Sequence, residues 1–299
     1  MEENVQHPES RITKGTRMSR AQSRSYNLLL KAKARPEGYT KIVSRGEMGL
    51  KHLEFGLLSL SSGDWSTRTG RCEHGLDIHS GVVSLEIASP TQNHSCRRLG
   101  SRKNAFDGLP TAVYLPPGLS YRISVVEGPV EIAIFSAATR EFKAEPAVVR
   151  PGNVAKTSIG KGNWSSNVYI CVGDNISAAK LIIGETINPP GNWSDSPPHK
   201  HDAFIPPNEA VLEEIQYFKT SPDQGFGIIR LYTQPNDPAP MNEVYVVENG
   251  DTVVIPRGYH LAAAAPGYAL HCTWALAGEV RKYGDWTHDP RHAWLKEKT

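Results

Sequence analysis

Short apolar segments bounded by proline and glycine recur along nearly the whole chain, and they constrain its fold more than any other feature. Residues 82–87 and 111–115 are two examples, and each is flanked by turn-forming residues. No long segment has the 3.6-residue apolar period of a helix. The 26 glycines and 22 prolines supply turns for many short strands. The sequence therefore predicts an all-β protein with a few short helices.

The predicted strands form two series that are similar to each other. Residues 114–118 in the first series and 254–258 in the second are both strands that end in a proline–glycine turn. Two tandem copies of a small β-barrel or jelly roll explain this repeat. The prolines and glycines between Thr139 and Asn167 predict the boundary between the copies. We therefore predict four parts: a disordered tail over 1–25, an N-terminal domain over 26–145, a linker over 146–166 and a C-terminal domain over 167–299.

Charge and composition exclude several classes of protein. The net charge of +2 provides no basic excess for nucleic acid or for an anionic membrane surface. No apolar run approaches the ~20 residues that cross a bilayer. The four cysteines have no paired spacing, which argues against a disulfide framework and against a zinc ribbon. We expect reduced thiols in a cytoplasmic protein.

Histidines in the second series predict a metal site. One residue separates His199 from His201, so on an extended strand both side chains face the same way. A carboxylate follows on the next predicted strand, and His260 follows the turn at 256–258. Imidazole nitrogens with one carboxylate form a ligand set that suits zinc, iron, manganese or nickel.

The first series lacks an equivalent site. Its turn at 116–118 is followed by Leu119, Ser120 and Tyr121 rather than by a histidine, and no pair of histidines with one residue between them precedes it. We interpret His74 and His79, which are irregularly placed near a glycine turn, as surface or structural residues. The N-terminal domain is therefore predicted to be a scaffold without a metal site.

The carboxylate ligand is either Glu213 or Glu214, because adjacent strand residues point to opposite faces. With Glu214 inward, Gln216 and Phe218 share its face and form a polar pocket with one apolar wall. With Glu213 inward, an isoleucine and a tyrosine would line the site instead. Since the pocket must bind a metal and a polar ligand, we predict Glu214.

These motifs resemble those of known proteins. Residues 199–201, Glu214 and residues 256–260 resemble the two consensus motifs of cupins, with a stretched spacing before the glutamate. More narrowly, residues 191–194 leading to 197–202, and residues 257–260 with 263–268, are similar to the 5-deoxy-glucuronate isomerase family of inositol catabolism. The likeness begins at about Tyr26 and covers nearly the whole chain. Residues 274–279 and 283–285 look more like a sister family, the 5-dehydro-4-deoxy-glucuronate isomerases of pectin breakdown.

The resemblance implies two tandem cupin domains and an aldose–ketose isomerase that converts 5-deoxy-D-glucuronate to 5-dehydro-2-deoxy-D-gluconate. It implies one divalent cation, with zinc or manganese sufficient because the reaction needs no redox change. The cation would act as a Lewis acid on the carbonyl and adjacent hydroxyl oxygens. The predicted ligands are His199, His201, Glu214 and His260.

Residues that contact the substrate are predicted from charge and position. Arg230 and Arg257 are candidates for binding its carboxylate, and Lys200 is less suitable because it points away from the flanking histidines. Gln216 and Tyr259 are candidates for binding its hydroxyls. The general base is unassigned, and three residues are candidates if they face the pocket: Glu185, Glu243 and His271.

Two other function classes stay open. A cupin with this ligand set can hold iron and act as a dioxygenase, and a cupin can also bind a sugar without catalysis. Regulators of the second kind usually carry a helix-turn-helix, for which the sequence shows no helical segment. Exposed strand edges in tandem barrels also predict a homo-oligomer.

Overall fold

The structure is a computed structural model that describes residues 27–89, 93–139 and 142–298, so the predicted tail over 1–25 lies outside the described residues. Within the described residues the chain forms twenty strands and three short 3-10 helices, and all pairings between named strands are antiparallel. The prediction of an all-β fold is confirmed. None of these helices is long and apolar enough to span a bilayer.

The strands, in chain order, are β1 (Leu29–Leu30), β2 (Gly38–Val43), β3 (Leu53–Leu60), β4 (Asp64–Arg68), β5 (Cys72–Ala88), β6 (Asn93–Leu99), β7 (Thr111–Leu115), β8 (Ser120–Ala138), β9 (Ala147–Val149), β10 (Ala155–Ile159), β11 (Ser166–Val172), β12 (Ile182–Asn188), β13 (Trp193–Lys200), β14 (Glu213–Ser221), β15 (Phe226–Tyr232), β16 (Asn242–Glu248), β17 (Thr252–Ile255), β18 (Tyr259–Ala264), β19 (Ala269–Ala277) and β20 (Thr287–His288). The 3-10 helices cover Pro151–Asn153, Gly162–Trp164 and Pro290–Lys298.

The described strands form three sheets. The N-terminal sheet has the order β2-β3-β8-β5-β7-β9, with β4 also paired to β8 and β6 to β5. The long C-terminal sheet has the order β1-β17-β14-β19-β12-β11-β10, and the short C-terminal sheet has the order β16-β15-β18-β13-β20. The two C-terminal sheets face each other and enclose one core.

The long C-terminal sheet is buried on both faces, because a second core separates it from the N-terminal sheet. On β14, Phe218 packs into the core between the two C-terminal sheets. Its neighbours Ile215 and Tyr217 have the opposite parity and pack with Phe55 and Phe135 of the N-terminal sheet. Alternate residues of β14 therefore face the inside of the C-terminal half and the junction between the halves.

Strand pairings cross the predicted domain boundaries in two places. The predicted linker over 146–166 contains β9 and β10, which pair with β7 and β11, so most of it is strand or 3-10 helix rather than an open connection. At the start of the described chain, Leu29 pairs with Val253, which places β1 in the long C-terminal sheet. Main-chain hydrogen bonding across the junction therefore ties the first strand to the second half.

The repeated proline–glycine turns have the same backbone form in both halves. Gly118 has φ of 86° and Gly258 has φ of 93°, a region in which glycine avoids the penalty of a β-carbon. At Gly258 a β-carbon would also lie 2.9 Å from the carbonyl oxygen of Tyr232. This tight turn brings the chain from β17 of the long sheet into β18 of the short sheet, and so positions His260.

Candidate metal centre

The predicted ligands come together between the two C-terminal sheets. His199 on β13 is the register partner of His260 on β18, so the two imidazoles are side by side in the short sheet. His201 follows directly after β13, and Glu214 projects from β14 in the long sheet. Two histidines on one sheet, and a third directly after one of its strands, therefore face a carboxylate on the other sheet.

The separations between these groups fit one divalent ion. A ring nitrogen from each of His199, His201 and His260 lies within 4.8 Å of the other two. Oε2 of Glu214 lies 3.1 Å from Nε2 of His201 and 3.2 Å from Nε2 of His260. Neighbouring ligands on a tetrahedral zinc ion, with bonds of about 2.1 Å, are about 3.4 Å apart. The four donors are therefore close to the spacing that such an ion requires.

Backbone carbonyls orient two of the imidazoles. Nδ1 of His201 lies 2.7 Å from the carbonyl oxygen of Leu212, and Nδ1 of His260 lies 3.3 Å from that of Gly258. A carbonyl oxygen only accepts, so each Nδ1 carries the hydrogen and each Nε2 is directed towards the centre of the cluster. Such outer contacts fix the ring orientation and tautomer of metal-binding histidines.

The cluster has strong internal electrostatics. Burial acts to raise the pKa of Glu214, but His260 and His201 lower it to below the usual range for a glutamate. Burial acts to lower the pKa of His260, and the Glu214 carboxylate outweighs burial and raises it to about 9. For His199, burial and the two other imidazoles together hold the pKa well below its usual value. The site therefore contains an ionised carboxylate and a neutral imidazole, both suitable as metal ligands.

Parity on β14 separates the two adjacent glutamates. Glu214 faces the histidines, and Gln216 on the same face donates a hydrogen bond from Nε2 to Oε1 of Glu214 over 2.8 Å. Glu213 faces the N-terminal half, where its carboxylate accepts hydrogen bonds from the backbone N–H groups of residues 51–53. One glutamate therefore belongs to the candidate site and the other joins the two halves.

Aromatic residues near the C-terminus cover the cavity beside the cluster. β20 pairs with β13, and this pairing places the ring of Trp286 with its centroid 4.8 Å from that of His199. Nε1 of Trp286 donates to Nε2 of His288, whose Nδ1 lies 3.2 Å from the carbonyl oxygen of Pro197. Trp286 and His288 both line the cavity, together with Trp274, Tyr283 and Phe218. Aromatic rings therefore form much of the cavity wall beside the ligands.

Among the predicted substrate-binding residues, Gln216 lines this cavity. Arg230 and Tyr259 do not, because they alternate on their strands with Leu231 and His260, which face inward. On the outer face, the guanidinium of Arg230 lies 4.2 Å from the ring centroid of Tyr232, and Tyr259 stacks on the same ring. The structure therefore brings both residues to the opposite side of the short sheet.

The two other predicted cations near the site are bound to carboxylates outside the cavity wall. Nη1 of Arg257 lies 3.0 Å from both carboxylate oxygens of Asp237. Lys200 donates to Asp202 and Glu209 at 2.5 and 2.7 Å. Within the described residues, no arginine or lysine lines the cavity.

The candidates for the general base also lie elsewhere. Glu243 is on β16 at the edge of the short sheet and does not line the cavity. Glu185 and His271 are buried at the junction of the two halves, where Nε2 of His271 lies 3.3 Å from Oε2 of Glu185. Arg102 donates to both oxygens of Glu185, at 2.9 and 2.8 Å.

His79 belongs to the same buried cluster and is structural rather than exposed. It is 1 % exposed, and its Nδ1 lies 3.1 Å from Oε1 of Glu131. Asp77, His79 and Glu185 offer ligand atoms within 4.8 Å of one another. The Arg102 guanidinium contacts the carboxylates of Asp77 and Glu185, and Nε2 of His79 lies 3.6 Å from Asp77, so the cluster forms a buried ion-pair network. His74 is also structural, with Nδ1 3.0 Å from the hydroxyl of Tyr121.

Several cavity residues were not identified from the sequence. Asp195 lies in the segment that carries His199, and its φ of 58° is unusual for a residue other than glycine. It lines the cavity together with Trp286, His288 and Tyr283. The aromatic residues reach the site through the pairing of β20 with β13, for which the sequence has no local signal. Asp195 directly follows the motif at 191–194, and its parity relative to His199 was the signal that could have identified it.

Comparisons with known proteins place this chain in a family. The model of the KduI/IolB family matches residues 28–295. The chain belongs to the KduI/IolB family. A protein of Geobacillus kaustophilus named 5-deoxy-glucuronate isomerase is 36 % identical over 264 residues, which cover 87 % of this chain and 92 % of that protein. A protein of the same name from Bacillus subtilis strain 168 is 28 % identical over 86 % of this chain and 92 % of its own length.

Solved structures agree with membership of the KduI/IolB family. The crystal structure of an IolB-like protein from Salmonella typhimurium matches with a TM-score of 0.82 at 28 % identity, and covers 90 % of this chain and 99 % of that chain. Oxalate decarboxylase of Lactobacillus farciminis matches with a TM-score of 0.64 at 10 % identity, over 92 % and 91 % of the two chains. The second likeness shows the fold alone, and it supports the predicted tandem cupin architecture.

Proposed function

We propose that this protein is a metal-dependent aldose–ketose isomerase that converts 5-deoxy-D-glucuronate to 5-dehydro-2-deoxy-D-gluconate in myo-inositol catabolism. The observation that carries the proposal is the cluster of three imidazoles and one carboxylate in a covered cavity of a KduI/IolB family member. Relatives across most of the chain carry the name 5-deoxy-glucuronate isomerase.

The reaction moves a proton from C2 to C1 of the substrate and the hydroxyl proton from O2 to O1, so that the carbonyl moves from C1 to C2. The C2 proton is a weak acid, so charge that develops on the two oxygens must be stabilised. A zinc or manganese ion held by His199, His201, Glu214 and His260 would polarise the carbonyl and the neighbouring hydroxyl. We propose that the bound ion is zinc or manganese.

The side chains around the cluster have supporting roles in this proposal. Gln216 holds Oε1 of Glu214, which leaves Oε2 directed at the imidazoles. Trp286 and Tyr283 exclude water from the reacting carbons, which strengthens electrostatic stabilisation and protects the enediolate from side reactions. The cavity that would hold this small deoxy-sugar acid has no arginine or lysine in its lining among the described residues.

A second substrate has a specific observation in its favour. Trp274 and Tyr283 lie in the two segments that resemble the 5-dehydro-4-deoxy-glucuronate isomerases, and both residues line the cavity. Their rings stack on each other with centroids 5.6 Å apart. The alternative function is therefore isomerisation of 5-dehydro-4-deoxy-D-glucuronate on the same metal.

A direct comparison of the two substrates tests the proposal. The purified protein would be incubated with each deoxy-uronate under anaerobic conditions, and ketose formation would be followed by NMR. We expect a higher kcat/KM for 5-deoxy-D-glucuronate. A preference for the pectin-derived substrate would support the alternative, and turnover of neither would overturn both isomerase functions. Oxygen uptake by the iron-loaded protein would indicate dioxygenase chemistry instead.

A further inference from the structure

The side chain of Gln216, which lines the cavity, carries a hydrogen-bond acceptor without a partner among the described residues. Its side chain is buried, at 4 % exposure, and it lines the cavity next to Glu214. Its Nε2 group donates to Oε1 of Glu214 over 2.8 Å. Its own Oε1 is buried and has no hydrogen-bond partner among the described residues.

The orientation of this amide follows from its neighbour. A carboxylate oxygen accepts hydrogen bonds but does not donate them, so the NH2 group of Gln216 must face Glu214. The carbonyl oxygen of Gln216 is thereby committed to the role of acceptor. A buried acceptor without a donor is unfavourable, and a ligand that brings a hydroxyl group to it gains affinity.

We infer that Oε1 of Gln216 accepts a hydrogen bond from a substrate hydroxyl at C3 or C4, which makes Gln216 a specificity-determining residue. The inference rests on the proposed isomerase function, in which C1 and C2 are the reacting carbons beside the ligand cluster. The hydroxyl groups at C3 and C4 follow the reacting carbons along the substrate, and Gln216 adjoins the ligand cluster through its contact with Glu214.

This contact would distinguish the two deoxy-uronates. 5-Deoxy-D-glucuronate has hydroxyl groups at both C3 and C4. 5-Dehydro-4-deoxy-D-glucuronate has no hydroxyl at C4, and its carbonyl at C5 cannot donate a hydrogen bond. If Gln216 contacts the C4 hydroxyl, the cavity favours the first substrate because the second leaves the amide oxygen unpaired.

The test compares substrates and variants in one set of measurements. The wild-type protein and the Gln216→Met variant would be assayed with 5-deoxy-D-glucuronate and with its 3-deoxy and 4-deoxy analogues. For the wild type, we expect one analogue to lose about 10- to 100-fold in kcat/KM relative to the parent. For Gln216→Met, we expect the parent to fall to within about twofold of that analogue. The analogue that loses activity identifies the hydroxyl.

The ratio between parent and analogue separates recognition from positioning. If Gln216 only held Glu214 in place, its replacement would lower the rates of all substrates by the same factor, and the ratio would not change. An unchanged ratio in both Gln216→Met and Gln216→Leu would overturn the inference while the isomerase function stands. Absence of wild-type turnover of the parent would overturn both together.

A matched variant and a metal measurement complete the design. Gln224 is exposed and lies outside the cavity, so Gln224→Met introduces the same chemical change at a neutral position. We expect this variant to keep the wild-type ratio. Metal content per chain would be measured for every variant, so that each ratio refers to protein with the same loading.

Discussion

Oε2 of Glu214 lies 3.2 Å from Nε2 of His260, and this contact joins the two C-terminal sheets across their shared interior. Glu214 belongs to β14 of the long sheet and His260 to β18 of the short sheet. A metal at this point would hold the two sheets together. The contact also makes His260 the most informative position for testing metal binding.

Replacing His260 with alanine should remove the metal. The substitution deletes one of four donors and leaves the buried Glu214 carboxylate with one imidazole fewer, so we expect the metal affinity to fall by at least about 100-fold. Metal per chain would be measured by mass spectrometry after gel filtration. His74→Ala is the control, since His74 contacts Tyr121 in the N-terminal half, and it should keep the wild-type content. Equal metal in both variants would show that the cluster is not the binding site.

Metal binding should release a proton and strengthen as pH rises. In the metal-free protein, burial lowers the pKa of His260 but the Glu214 carboxylate raises it to about 9. Below that pH the imidazole is protonated and must lose its proton to become a ligand, so apparent affinity should rise about tenfold per pH unit up to about pH 9. Calorimetry in buffers of different ionisation enthalpy measures the protons released. A value of zero at pH 7.5 would contradict the assignment of His260.

The ion-pair network at the junction of the halves should contribute strongly to stability. Arg102 is 3 % exposed and donates to both oxygens of Glu185 and to Asp77. Arg102→Ala would therefore leave these two buried carboxylates without their guanidinium partner. We expect the free energy of unfolding to fall by about 3–5 kcal/mol in urea denaturation. Arg122→Ala removes an exposed pair with Asp64 and should change it by less than about 1 kcal/mol. Similar losses for the two variants would refute the structural role of the network.

Trp286 should affect substrate binding more than metal binding. Its ring covers His199 with centroids 4.8 Å apart, without being a ligand. We expect Trp286→Ala to raise KM by about 3- to 10-fold, in line with the strength of one aromatic contact, with unchanged metal content. Trp286→Phe retains a ring and loses the hydrogen bond to His288. Its KM should therefore lie between those of the wild type and of Trp286→Ala. A wild-type KM in Trp286→Ala would exclude this covering role.

The alternation of side chains between the two faces of a single strand explains which parts of the site could be predicted from the sequence. The parity that groups Glu214 with Gln216 is a property of one strand, and it could be read directly from the sequence. Tyr259 was a candidate for binding substrate hydroxyls, but by the same rule it points away from its neighbour His260, and its ring stacks on Tyr232 at the outer face. Arg230 was a different case, because its parity relative to the site depends on how β15 pairs with β18.

Long-range pairing explains what the sequence could not predict. The pairing of Leu29 with Val253 joins distant parts of the chain and has no local signal. The same holds for the cover of the cavity, which depends on the pairing of β20 with β13. Glu185 and His271 lie at the junction of the halves because β12 and β19 are adjacent in a sheet that is buried on both faces.

The sequence also predicts a homo-oligomer, and light scattering of the purified protein would measure its mass in solution.

The most direct test of the central claim is a titration of metal into the metal-free protein with isomerisation of 5-deoxy-D-glucuronate as the readout. Protein stripped with a chelator would receive zinc or manganese in small steps, and the initial rate would be recorded at each step. The account predicts no activity without metal and a linear rise that ends at one equivalent per chain. Full activity in the stripped protein, or a rise that continues to two equivalents, would contradict a single metal centre formed by His199, His201, Glu214 and His260.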